Sequence, residues 1–487
     1  MTGFETASLI TILVFAAHII IGFIAAIYIS STRTPSAAIA WVLVIIFLPL
    51  VGGIWYLLMG AGRLPKRRRE KQLEVNQAYL ARTEGVDQLS HRDEWPAWLG
   101  SAVHMNVELG ALPMVGGTRA ALLSSYEGSI QAMADEIDTA TDYVHVEFFI
   151  LVKDPTTQVF FDALARACAR GVTVRVLSDH LPTFMYPNRT ATLRAFVDMG
   201  AEYHAMLPLR PFKGQWQRPD LRNHRKLVVV DGRAAFMGSQ NMIDSSYLKP
   251  KNVKKGLHWH ELMTRLEGPV VRELNAVFIA DWFSETDVML PFDPAPIIVG
   301  ESADEFDAQI VPSGPSYEND NNLKLFMYLI NSAQRRVSIT SPYFVPDEAT
   351  LMAILAAAAR GVDVELFVSK IGDQYLVYHA QRSYYEKLLR AGVKIFLYRA
   401  PTILHSKHFS IDDDVAVIGS SNMDIRSFSL DMEVSLLVHG KSFVDDMRAV
   451  EDDYRSASEE LTLEEWVKRP YLGKVNDSLA RLTASLQ

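Results

Sequence analysis

The chain has 487 residues, of which 49% are apolar, and a formal charge of −9; it is long enough for two or three ordinary domains, and its acidic balance argues against a surface that coats nucleic acid. Its one cysteine, Cys168, excludes an intrachain disulfide framework and a cysteine-rich metal centre. In the helical context "DALARACARG" that cysteine reads as a small core residue.

The apolar surplus lies at the N-terminus. From Ala7 to Ile29 there are 23 residues without Asp, Glu, Lys or Arg. At ~1.5 Å per residue, a helix of that length crosses the ~30 Å hydrocarbon core of a bilayer. A second uncharged run extends from Ala37 to Leu58, and "SSTRTPS" between the two suits a tight turn. Residues 1–60 therefore predict a two-helix transmembrane hairpin, with His18 packing inside the first helix and Pro49 and Gly52-Gly53 kinking the second. "MTGFETAS" carries no Lys or Arg, which speaks against a signal peptide. Directly after the hairpin comes "GRLPKRRREKQ". Its Arg63, Lys66, Arg67, Arg68, Arg69 and Lys71 predict that both termini are cytoplasmic and that this cluster faces anionic headgroups. Residues 61–118, with "EWPAW", read as a basic juxtamembrane linker and connector.

From about residue 119 the sequence repeats itself. "IDTATDYVHVEFFIL" has its counterpart in "INSAQRRVSITSPYF", each leading from a helix into a strand. "ALARACARGVTVRVLSD" (Ala163–Asp179) matches "AILAAAARGVDVELFVS" (Ala353–Ser369), an amphipathic helix closed by Arg-Gly and followed by a strand. "FVDMGAEYHAM" (Phe196–Met206) matches "LLRAGVKIFLY" (Leu388–Tyr398). Only the first copy then carries the long segment "LPLRPFKGQWQRPDLR", whose Arg210, Lys213, Trp216 and Arg218 suit either a lid or interfacial anchor or a solvated loop. The expected fold class is α/β, two similar lobes related by a pseudo-twofold, at residues 119–290 and 305–460. Residues 461–487 read as a helical, peripheral tail.

Each lobe then reaches an unusual strand, "NHRKLVVVD" from Asn223 and "HSKHFSID" from His405. Counted from the histidine, both have Lys at +2, Asp at +7 and Gly-Ser-x-Asn beginning at +14. Strand alternation puts His224 and Lys226 on one face and Asp231 on the other, and likewise separates Asp412 from His405 and Lys407. The two aspartates therefore read as structural carboxylates. Two histidines, two lysines, Asn241 and Asn422 converging across a pseudo-twofold suit a phosphodiester. Ammonium and amide donors neutralise its non-bridging oxygens. One imidazole attacks phosphorus while the other protonates the leaving oxygen.

The paired His-x-Lys-x4-Asp signatures with their trailing Gly-Ser-x-Asn resemble those of the phospholipase D superfamily, over roughly residues 119–460. Within it, "AWVLVIIFLPLVGGIWYLLMG", "SPYFVPD", "NHRK" and "SSNMDIRSFSLDMEVSLLV" look like the bacterial cardiolipin synthases. The resemblance implies a catalytic set of His224, Lys226, Asp231, His405, Lys407 and Asp412, with His224 as nucleophile and His405 as general acid and base. It places Lys226, Lys407, Asn241 and Asn422 on the phosphate, and Glu261 and Glu433 as carboxylates that orient the histidine rings. It further implies transfer of a phosphatidyl group between two phosphatidylglycerol molecules at the bacterial inner membrane, with anionic lipids as partners, no cofactor and no metal. A hydrolase, or a transferase to another alcohol or lipid, would use the same residues; the hairpin and the acidic balance weigh against a nuclease.

Overall fold

The computed structural model describes residues 3–32, 35–60, 63–82, 90–210, 212, 215, 217–292, 305–317 and 320–483. They fall into two compact units, one of residues 1–62 with 218–220, the other of residues 63–217 with 221–487.

The smaller unit holds three helices, α1 (Gly3–Thr32), α2 (Pro35–Phe47) and α3 (Pro49–Met59). Ile29, Ala38 and Ile45 are buried where α1 meets α2. The second uncharged run is not one helix. Leu48 leaves helical geometry, at φ −133° and ψ 69°. The cause is Pro49, which has no amide hydrogen and disfavours helical backbone in the residue before it. α3 then doubles back on α2. The ring of Trp41 lies 5.3 Å from that of Tyr56 and 6.3 Å from that of Trp55, positions a straight helix would hold roughly 20 Å apart. Gly52 permits this close return, since a Cβ there would stand 2.7 Å from the Val44 carbonyl oxygen. With 13 and 11 residues, α2 and α3 measure only about 20 and 17 Å. Among the described residues no helix is long and apolar enough to cross a membrane. Large apolar side chains of this unit, Leu13, Phe23, Ile39, Phe47 and Leu57 among them, are exposed.

The larger unit contains both lobes. The first supplies β1 (Val115–Leu123), β2 (Tyr143–Phe148), β3 (Thr173–Asp179), β4 (Glu202–Met206), β5 (Lys226–Val230), β6 (Ala234–Gly238), β7 (His258–His260) and β8 (Met263–Glu267). The second supplies β9 (Phe306–Ser313), β10 (Arg336–Thr340), β11 (Phe344–Val345), β12 (Asp363–Ser369), β13 (Lys394–Tyr398), β14 (Thr402–Leu404), β15 (His408–Ile411), β16 (Val415–Gly419), β17 (Met423–Asp424), β18 (Glu433–His439) and β19 (Ser458–Leu461). Fifteen of these strands form one sheet, in the order β19-β13-β12-β10-β15-β16-β18-β9-β1-β8-β6-β5-β2-β3-β4. Outward from the β9–β1 joint the two directions match strand for strand over seven strands, which is the repeat written in three dimensions, and β19 adds one more at the edge of the second lobe. β5 and β16, "KLVVV" and "VAVIG", are buried at every position, the mark of a sheet covered on both faces.

A single core joins the lobes. Leu227, Val229, Leu274 and Phe278 of the first pack in one cluster with Ile418, Val434 and Met447 of the second. Two further bridges cross between them. β7 pairs in parallel with β14, and Asn223 forms a parallel bridge with Met432.

The connector is more firmly attached than its composition suggests. Helix Lys66–Arg82 packs against helix Val270–Thr286. There Arg68 pairs with Glu285 at 2.7 Å, Arg67 with Asp287 at 2.7 Å and Lys71 with Asp287 at 2.6 Å. These three members of the cluster expected to face headgroups are thus engaged with the first lobe, because the C-terminal end of that helix carries its own carboxylates. The tail is helical and rests on the second lobe. Helix Tyr471–Arg481 packs on helix Tyr375–Arg390, where His379 Nδ1 lies 2.6 Å from Asp477 Oδ1.

Candidate functional site

β5 begins at Lys226, so His224 sits just ahead of the ladder, and its backbone is tied to the opposite lobe instead. His224 N–H donates to Met432 O at 2.8 Å. In the second lobe, β14 delivers His405, whose N–H donates to His260 O at 2.8 Å. Each histidine is therefore fastened to the residue immediately before a glutamate of the other lobe.

The side chains follow. His224 Nδ1 lies 2.9 Å from Glu433 Oε1, and His405 Nδ1 lies 2.7 Å from Glu261 Oε1. Both histidine–carboxylate pairs cross between the lobes. Such a contact fixes the tautomer and leaves Nε2 of each ring for chemistry. The serines of the two Gly-Ser-x-Asn segments complete the carboxylates: Ser239 Oγ donates to Glu261 Oε2 at 2.6 Å, and Ser420 Oγ donates to Glu433 Oε2. Glycine must precede each serine. A Cβ on Gly238 would stand 2.4 Å from Leu262 O, and one on Gly419 would stand 2.3 Å from Val434 O.

Lys226 and Lys407 are fully enclosed beside the histidines. Lys407 Nζ donates to His405 O at 2.6 Å, and Lys226 Nζ donates to the His224 carbonyl at 2.5 Å. Burial pushes Lys226 down to about 7 and Lys407 down to about 8, with Glu433 and Glu261 respectively opposing the shift. Removal from water disfavours an ammonium, and a bound anion would restore it. The two histidine pairs differ electrostatically. Burial, then Lys226, holds His224 well below the ordinary imidazole value, while burial raises Glu433 to about 7. His405 is also lowered by burial, but Glu261 opposes the shift. Burial of Glu261 is in turn outweighed by His405 and Lys407, which hold it below the usual carboxylate range.

Aromatic rings shape the walls. Phe149 meets the His224 ring edge-on with centroids 5.0 Å apart, and Tyr343 lies 5.9 Å from the His405 ring. A cavity of about 560 Å³ opens beside His224, with Asn422, Asp424, Tyr343, Tyr375 and Leu376 on its walls.

Two expected site residues stand elsewhere. Asp231 and Asp412, carried in the signature as catalytic, adopt left-handed backbone at φ 51° and 49°. Asp231 accepts from the backbone N–H groups of Thr141, Asp142 and Tyr143 at 2.8 to 3.0 Å. Asp412 accepts from those of Gln334, Arg335 and Arg336 at 2.7 to 3.0 Å. Both close the turn into a neighbouring strand, pointing away from the histidines. The two asparagines are also unequal. Asn241 is occupied at both ends of its amide, donating to Tyr247 Oη at 2.9 Å and accepting from Ile150 N–H at 3.2 Å. Asn422 lines the cavity with its Oδ1 buried and unpartnered.

Several contributors were missed by sequence reasoning. Arg225 is wholly buried, pairs with Asp281, and donates through Nε to Glu433 O at 3.0 Å, bracing the glutamate that holds His224. Asn223 Nδ2 donates to Glu147 Oε1 at 2.8 Å beneath it. The duplicated serine was a visible signal; Arg225 and Glu147 have no counterpart that repetition would reveal, Ser406 and Thr340 standing at the equivalent positions. In the segment before the first signature, Arg210 Nε donates to His180 Nε2 at 3.2 Å, and Arg218 pairs with Asp220. Lys213 and Trp216 lie outside the described residues. Among the described residues no group of three or more His, Cys, Asp or Glu is placed to hold a metal ion.

The geometry agrees with the comparisons. The family described as "Cardiolipin synthase, PLD-like domain" matches residues 133–282 and 326–453, and "Phospholipase D-nuclease N-terminal" matches residues 20–60. Among curated proteins, "Cardiolipin synthase A" of Proteus mirabilis is 32% identical over 453 residues, 92% of each chain. "Cardiolipin synthase" of Geobacillus kaustophilus is 32% identical over 470 residues, 95% of this chain and 91% of that one. Among solved structures, the phosphatidylserine synthase of Haemophilus influenzae superposes with a TM-score of 0.57 at 14% identity, over 79% of this chain and 99% of that one. That last likeness concerns the fold.

Proposed function

The chain belongs to the cardiolipin synthase family with phospholipase D-like domains, and from that premise we propose a membrane-bound phosphatidyltransferase that makes cardiolipin and glycerol from two molecules of phosphatidylglycerol. The observation that carries the reading is the pair of histidines, each held through Nδ1 by a carboxylate of the opposite lobe at 2.7 to 2.9 Å. In the first step His224 Nε2 attacks phosphorus, the bond to the glycerol oxygen breaks, and His405 gives that oxygen its proton. In the second, His405 takes the proton from a hydroxyl of another phosphatidylglycerol, whose oxygen displaces His224. Lys226 and Lys407 bear the phosphoryl oxygens, and charge develops there in a site shielded from water.

The electrostatic asymmetry supports these roles. A nucleophile must be neutral, and His224 is the more strongly depressed imidazole. A general acid must hold a proton, and the ionised Glu261 favours one on His405. The exposed apolar surface of α1–α3 supports residues 1–60 as the membrane anchor, with the lobes on the cytoplasmic side. Anchoring an enzyme where both substrates reside raises their effective concentration.

The test supplies the full chain in mixed micelles with phosphatidylglycerol, alone and with phosphatidylethanolamine, and reads the products by mass spectrometry. Cardiolipin with equimolar glycerol is expected. Phosphatidic acid as the main product would replace transfer with hydrolysis, and a phosphatidylethanolamine adduct would change the acceptor.

A further inference from the structure

The cleft opens between two short segments that follow equivalent strands, and both carry large apolar side chains in solvent. After β3, helix His180–Met185 exposes Phe184 by 48% and Met185 by 71%. After β12, helix Tyr375–Arg390 begins with Tyr375 exposed by 66% and Leu376 by 50%. A chain of ring contacts joins them through the site: Tyr186 to Tyr247 with centroids 6.2 Å apart, Tyr247 to His405 at 6.3 Å, and His405 to Tyr343 at 5.9 Å. Tyr186, next after Met185, is within electrostatic reach of Asp373, two residues before Tyr375. Asp373 itself accepts from Tyr343 Oη at 3.0 Å, and Tyr343 covers His405.

Cations border the same rim. The Arg189 guanidinium lies 3.6 Å from the centroid of the Phe184 ring. Tyr186 also packs on Tyr247, with centroids 6.2 Å apart, and helix Pro250–Lys255 follows closely on Tyr247. That helix presents Lys251, Lys254 and Lys255 to solvent together with Val253. Apolar side chains flanked by lysine and arginine complement an anionic lipid surface, apolar groups entering the acyl boundary and cations meeting the headgroups. A protein partner would leave unexplained why the Tyr375–Leu376 side of this rim is itself part of the wall of the substrate cavity.

We propose that this rim is a lipid-docking surface: the mouth of the cleft seats directly on an anionic bilayer, so that lipid passes from the leaflet to the histidines without crossing water. The proposal rests on the phosphatidyltransferase reading for its choice of lipid. It is separate from the anchor of residues 1–60, because it names the face of the lobes that meets the membrane.

The test compares full-length wild type with Phe184→Ser/Met185→Ser and with Lys254→Glu/Lys255→Glu. Cardiolipin formation is measured on phosphatidylglycerol in vesicles and on short-chain phosphatidylglycerol dispersed below its micellar concentration. Both variants should lose about tenfold or more on vesicles, the order expected when two half-exposed apolar side chains or two membrane-facing lysines are lost. They should stay within about twofold of wild type on dispersed lipid, since neither pair touches the reacting groups. Equal loss on both substrates, or none on vesicles, overturns the proposal. A second measurement does not depend on turnover. In a Cys168→Ser background, Val253→Cys carries an environment-sensitive fluorophore in nanodiscs containing a lipid-borne quencher, with Lys441→Cys as the reference. Stronger quenching at position 253 in phosphatidylglycerol than in phosphatidylcholine is expected; quenching no greater than at position 441 overturns the rim. Quenching at position 253 without cardiolipin formation by wild type would instead leave the rim standing and remove the assigned reaction.

Discussion

At the scale of single residues, the histidines and lysines were legible because the chain states them twice, while the glutamates came only from the family resemblance. What no spacing conveys is which glutamate serves which histidine. Their separations are 209 residues for His224 and Glu433 and 144 for His405 and Glu261, and only the cross-lobe backbone bonds decide the pairing. Glu433→Gln should therefore slow formation of the phosphorylated His224 together with release of glycerol, and Glu261→Gln should in addition slow discharge of the intermediate to the second phosphatidylglycerol so that it persists once formed, each lowering kcat by roughly 10²- to 10⁴-fold. Rapid-quench trapping of labelled enzyme distinguishes them. Asp231→Ala should behave differently. It removes three backbone hydrogen bonds to a carboxylate, two of them open to water, costing about 1–3 kcal/mol in all, so the thermal midpoint falls while kcat at a permissive temperature stays close to wild type. The lysines give a pH dependence. In the empty cleft Lys226 titrates near 7 and Lys407 near 8. A bound phosphodiester favours their charged forms, so binding takes up protons, and affinity weakens as pH rises from about 7 through 8. Calorimetry of a non-reactive dialkyl phosphate with His224→Ala, in buffers of different ionisation enthalpy, should detect that uptake; a pH-independent affinity would mean that the lysines remain charged.

At the scale of elements, the helix–strand repeats were readable from apolar period and from the Arg-Gly stops. The break in the second apolar run was half readable. Pro49 marked it, but the return of α3 depends on the contact of Gly52 with Val44 and on Trp41 meeting Tyr56, contacts that periodicity does not encode. The fold-back bears on the proposed membrane anchor. A single crossing would put its two ends on opposite faces, whereas a doubled-back pair returns them to one. Cysteines introduced at Thr32 and Leu58 in the Cys168→Ser background should react with an impermeant maleimide from the same side of sealed vesicles. Labelling from opposite sides would restore the simple hairpin.

At the scale of the whole chain, duplication announced two lobes but not their fusion through the β9–β1 joint and a common core. Residues such as Leu227 and Val434 look like ordinary strand positions until the two sheets are seen as one. With the core shared, the catalytic unit should unfold in one cooperative transition, and calorimetry of the detergent-solubilised protein should show a single peak for it. Two resolved peaks would mean that the lobes are independent. The crossed histidine–carboxylate pairs carry a consequence for descent. Had a single-lobe ancestor used the same site, its histidine could have met its carboxylate only on a second copy, so it could have worked only in twos. After fusion, the halves stopped being interchangeable, yet neither became free. A lesion beside Glu433 is inherited by the chemistry of His224, and one beside Glu261 by that of His405, so the two halves can drift apart only in step.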